Sequence, residues 1–72
     1  MTLDEALALV REEFLRATKK HPGSFNSSHE GWAVIWEELD EMWDEVRANN
    51  REGQRHEVVQ VGAMAVRYLV DL

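Results

Sequence analysis

Apolar residues recur at helical spacing near the start of the chain. Leu3, Ala6, Leu7, Val10, Phe14 and Leu15 predict a first amphipathic helix. Thr2-Leu-Asp-Glu5 forms a capping box ahead of it. Lys19, Lys20 and His21 complement the dipole at its end, and Pro22-Gly23 stops it. Residues 22–28 read as a loop, and Ser27-Ser-His-Glu30 is a second capping box. The second helix runs to about Ala48 and carries Trp32, Ile35, Trp36, Leu39, Met42, Trp43 and Val46 as one heptad-like stripe. Asn49-Asn50 suits its C-terminal cap, because Asn tolerates the left-handed conformation.

The third helix begins around Glu52–Arg55 and continues to the end. Its apolar residues, from Val58 to Leu72, cover most of the circumference instead of one stripe. Gly62-Ala63-Met64-Ala65 shows no period-two alternation, which disfavours a strand. A helix apolar nearly all round requires burial on all sides. Two neighbours in one short chain can hardly surround it. The expectation is therefore an all-α fold, a single domain over residues 1–72 with three helices per chain. It forms an antiparallel bundle completed by homo-oligomerisation (dimer or tetramer), with the third helix at the centre.

Length and composition reinforce this picture. A chain of 72 residues builds a small core, so staples or partners are expected. There is no cysteine, which removes disulfides and thiolate metal sites, and the three histidines have no HExxH spacing. Self-association is what remains. The formal net charge is −6, and six acids lie within residues 37–45: Glu37, Glu38, Asp40, Glu41, Asp44 and Glu45. No base lies among them, and the other eight acids are matched by eight bases, so the net charge sits in one segment. No direct nucleic-acid binding is expected, since that needs a basic footprint. The chain opens without a basic and apolar leader, and its longest uncharged apolar run, residues 58–66, is too short for a bilayer. A cytoplasmic protein with no membrane association is the expectation.

The acidic segment also carries candidate chemistry. On a helix, Glu38 and Glu41 are i, i+3 neighbours with Cβ atoms about 5–6 Å apart, close enough to share one hard cation such as Mg²⁺. On the third helix Glu57 and Gln60 have the same spacing and start a polar line that continues through Arg67 and Asp71. Antiparallel packing would set Glu57 against the acidic half of the second helix, where opposed carboxylates need a cation between them. The plainer reading is a solvated acidic face, with Arg67 and Asp71 pairing at i, i+4 and Asp71 frayed near the end.

Glu37-Glu38-Leu39-Asp40-Glu41 reads as EExxE, and Glu57-Val-Val-Gln60 follows it. This pattern resembles the MazG-type all-α nucleoside triphosphate pyrophosphohydrolases, whose motif is EExxE, a spacer and ExxD. The similarity spans Ser28 to Leu72 and is strongest to short phage- or prophage-type members. It implies Glu38, Glu41 and Glu57 as metal ligands and Glu37 as a second-shell or water-activating carboxylate. Gln60 stands where the family has Asp, which removes one negative charge from the ligand set. The implied cofactor is Mg²⁺ or Mn²⁺, and the implied reaction converts a (d)NTP to a (d)NMP and pyrophosphate. Lys19, Arg51 and Arg55 are candidates for phosphate contacts and Trp32 for base stacking. Their plainer roles are helix-end complementarity, a solvated turn and packing. Two other functions fit the same residues. One is a helical oligomer of MazG-like ancestry that binds nucleotide, metal or protein without catalysis. The other is an acidic protein-interaction module.

Overall fold

A computed structural model describes residues Met1–Leu72 as three α-helices without a strand. They are α1 (Leu3–Lys20), α2 (Ser28–Arg47) and α3 (Arg51–Asp71). The expected elements are present, and their ends follow from local chemistry. At the first cap the Thr2 hydroxyl accepts from Glu5 N–H, and Glu5 returns a carboxylate to Thr2 N–H, the full reciprocal box. The second cap is only half of one. Ser27 accepts from Glu30 N–H, but the Glu30 carboxylate turns back to the Asn26 side chain at 2.9 Å. Between α2 and α3, Asn49 takes a left-handed φ of 55° and Asn50 caps α3 by accepting from Gly53 N–H. Two adjacent asparagines thus close one helix and open the next.

The chain runs up, down and up, with α3 packed against both α1 and α2, which make no close backbone approach to each other. Small residues allow this. A Cβ at Gly62 would stand 3.1 Å from Val10 of α1, and one at Gly31 of α2 would stand 2.6 Å from the Tyr68 ring. The core is small, comprising Ala17, Phe25, Ala63 and Met64, with Phe14, Val34, Ile35 and Tyr68 packed against it.

The polar line on α3 divides in two. At its C-terminal end Arg67 is buried. It pairs with Asp71 at 3.3 Å, donates to the carbonyls of His21 (2.8 Å) and Gly23 (2.5 Å), and lies 5.2 Å from the centre of the Phe25 ring. Asp71 also accepts from Phe25 N–H at 2.9 Å. Asp71 is therefore no frayed end, because it ties the α1–α2 loop to α3.

Within the chain α3 packs against both other helices, while Val58, Val66, Leu69 and Val70 of α3, and Leu72 beyond it, remain exposed. An uncovered seam of large side chains lies elsewhere, on α2, at Trp32, Trp36, Leu39 and Trp43. No helix is long and apolar enough to cross a membrane.

Candidate metal centre

Antiparallel pairing of α2 with α3 sets the acidic half of α2 beside the N-terminal half of α3. Gly53 lies against Glu45, whose flexible carboxylate occupies the space a Cβ would take. One turn further along α3, Glu57 meets Glu38 and Glu41. Each of these three carboxylates offers an oxygen within 4.8 Å of the other two. Oxygens bound to one Mg²⁺ at about 2.1 Å stand no more than about 4.2 Å apart. Small side-chain movements would therefore let all three reach one ion.

The electrostatics are those of a like-charged cluster. Glu38 is partly buried, and burial followed by the charges of Glu41, Glu57, Glu37 and Glu13 pushes its pKa up to about 6. Burial and the Glu41 charge likewise raise Glu57, with His56 opposing weakly. Glu57 Oε2 is buried with no hydrogen-bond partner, since the Glu41 carboxyl beside it has a hydrogen to give only when protonated. A buried, unpartnered carboxylate oxygen is costly and needs a donor or a metal.

The remaining sequence candidates are spread over the molecule. Glu37 is exposed on α2 and adds its charge to Glu38. Gln60 lies near the Glu13 carboxyl of α1 and helps to lower its pKa, and it also borders the groove that reaches Glu38. Lys19 lies outside that groove, whereas its neighbour Lys20 lines it. Arg51 is exposed in the first turn of α3. Arg55 lines a different, mostly apolar groove between α1 and α3. Trp32 stacks on Trp36 with ring centres 6.2 Å apart on the exposed face of α2.

The structure adds one charged group that sequence reasoning passed over, and a groove. Glu13 of α1 has a side chain only 12% exposed and binds Arg16 through both nitrogens, at 2.8 and 2.5 Å. That bidentate pairing holds its carboxyl below the usual range. The signal was present, because Ala6, Val10, Glu13 and Ala17 follow the 4-3-4 spacing of a packed seam and place a carboxylate at a core position. The other addition is a groove of about 540 Å³ that joins Glu38 and Gln60 to Arg16, Lys20, Phe25 and Asn26. It sets cations, an aromatic ring and an amide beside the carboxylates. The α1–α2 loop supplies the last two, and no periodicity marks them.

Comparison of the chain with protein families, curated proteins and solved structures yields no match.

Proposed function

We propose that the chain is a MazG-like nucleotide pyrophosphohydrolase that depends on a divalent metal and cleaves a (d)NTP to a (d)NMP and pyrophosphate. The observation that carries this reading is the convergence of Glu38, Glu41 and Glu57 around the unpartnered buried oxygen of Glu57. Those three side chains would hold Mg²⁺ or Mn²⁺. When bound, the ion would neutralise phosphate charge and lower the pKa of a water. Glu37, exposed and close enough to Glu38 for its charge to be felt there, would accept a proton from a water at the rim of the triad. The groove beside Glu38 has room for a nucleoside. Lys20 lines the same groove and offers charge to phosphate, and Asn26 offers an amide to a base. The reading also includes assembly of the chain with itself, and a cytoplasmic setting.

The test is pyrophosphate release from a panel of canonical and modified nucleoside triphosphates with Mg²⁺ or Mn²⁺. Turnover that disappears in Glu38→Gln supports the assignment. No turnover with any substrate at high protein concentration ends it.

One observation favours a second reading, a non-catalytic MazG-like protein that binds metal or nucleotide. Gln60 is an uncharged amide that lies near Glu13 of α1. The set then offers three carboxylates and no fourth. Metal-dependent stabilisation without turnover, together with a gain of metal affinity in Gln60→Asp, would select this reading. An acidic interaction module predicts neither effect.

A further inference from the structure

The folded chain exposes 5407 Å², whereas a monomer of 8.4 kDa is expected to expose about 4600 Å². The excess of about 800 Å² equals what one partner contributes to a standard interface. The molecule is also slightly expanded, with a radius of gyration of 12.4 Å against about 11 Å for a compact domain of this length. Exposed apolar side chains occur on all three helices, and the largest of them lie on α2. Trp32, Trp36 and Trp43 are 62%, 58% and 54% exposed, and Leu39 is exposed between them. At about 250 Å² for a whole tryptophan, the three rings alone leave about 400 Å² in water.

These four residues follow one another at intervals of four, three and four, the seam of a helix that packs knobs into holes. The side of α2 that meets α3 is a different one, carrying Gly31, Ile35, Glu38 and Glu45. α2 thus has two packing sides in a chain that covers one of them.

The charge of α2 selects the occupant. Residues 28–36 contain a single acid, Glu30, while residues 37–45 contain six. An antiparallel partner helix of the same sequence sets the acid-rich half of each copy against the nearly acid-free half of the other. Asp44 at the seam's edge is already neutralised by Arg47 at 2.7 Å. A parallel copy would oppose like charges along the whole acidic half.

We infer that a second copy of this chain covers the Trp32–Trp36–Leu39–Trp43 seam, α2 against α2 in antiparallel sense. The inference rests on the self-assembly part of the proposed function and adds its face and direction. It uses none of the Glu38, Glu41 and Glu57 carboxylates, so it stands or falls apart from catalysis.

The test is light scattering on size-separated protein, with helix content followed by circular dichroism. The wild type is expected at twice 8.4 kDa. Trp36→Glu and Trp43→Glu, both at exposed positions, are expected at the mass of one chain, or with dimer dissociation raised at least tenfold. Leu69→Glu, at a still more exposed position but on α3, should stay dimeric. Where a seam variant loses its helices, dilution of the wild type gives the second measurement. Tryptophan emission should shift to the red in step with the fall in mass. A wild type that is a stable helical monomer at high concentration assigns the seam to another partner. That result overturns both the inference and the self-assembly reading. A dimer that survives both seam variants, or whose emission does not move on dissociation, overturns the face and leaves self-assembly intact.

Discussion

The two ends of the polar line on α3 contrast. At the Arg67–Asp71 end both charged side chains are about nine-tenths buried, and the protein satisfies them itself. Arg67 donates to a carboxylate and to two loop carbonyls, and Asp71 accepts from a backbone N–H as well. At the Glu57 end three carboxylates converge with no arginine or lysine paired to any of them, and one buried oxygen has no partner at all. The first arrangement is complete within one chain. The second is complete only with a proton or a cation. A buried polar line can therefore be a fastening at one end and an unsatisfied cluster of like charge at the other. What separates them is whether opposite charge is supplied from within.

Several changes would break or sharpen this contrast. The largest effect belongs to the fastened end. Arg67→Met should cost about 3–5 kcal/mol, because it strands Asp71 and two loop carbonyls. In a domain this small that abolishes a cooperative thermal transition, which circular dichroism would record. Retention of a sharp transition would show that the loop is held by packing alone. Next comes Gly31→Ala, whose new Cβ would meet the Tyr68 ring at 2.6 Å. A loss of about 1–3 kcal/mol in denaturant titration is expected.

The open end predicts effects of the opposite sign. Glu57→Gln removes a charge from a repelling cluster, so the metal-free protein should gain about 1 kcal/mol, or several degrees in melting temperature. The same variant should lose the stabilisation that millimolar Mg²⁺ confers on the wild type. A destabilised variant would mean that the triad is already satisfied.

The smallest effect is the dependence on pH. Glu38 titrates at about 6 in the folded protein, above its ordinary value of 4.5. The native state therefore holds a proton that the unfolded chain releases, and stability falls as pH rises through that interval. The contribution is fully present below about pH 4.5 and gone above about pH 6. Glu57 adds to it in the same direction. Melting at fixed ionic strength should show less stability at pH 7.5 than at pH 5.5, and Mg²⁺ should narrow the difference. A profile that rises across this range would contradict the electrostatics of the triad.

Much of the fold was legible in the residue order, because caps and stops are local. Thr2 with Glu5, Ser27 before Glu30, Pro22-Gly23 and the Asn49–Asn50 pair each place a helix end without long-range information. Part of the candidate site was equally open to reading. Glu38 and Glu41 are neighbours on one helix, and a short turn sends the next helix back along it, which brings Glu57 near. Glu13 was not recovered, because its nearness depends on where α1 docks on α3. Nor was the nearness of Gln60 to Glu13, which depends on the same docking. Asp71 was misread as frayed for the same reason, since its partner Phe25 N–H lies in a loop distant in sequence.

By itself the sequence determined the number of helices, their limits and the concentration of negative charge on the second one. These follow from periodicity, capping and composition, all of which act over a few residues. Tertiary structure alone decided which apolar faces are covered. Both α1 and α2 dock on α3, and there is no fourth helix, so the tryptophan seam of α2 stays in water. It also decided which charges are neutralised. Arg67 meets Asp71 and the loop, while Glu38, Glu41 and Glu57 meet one another. Burial and pairing belong to the packed chain, and the cost of a buried charge is set by what the fold brings beside it.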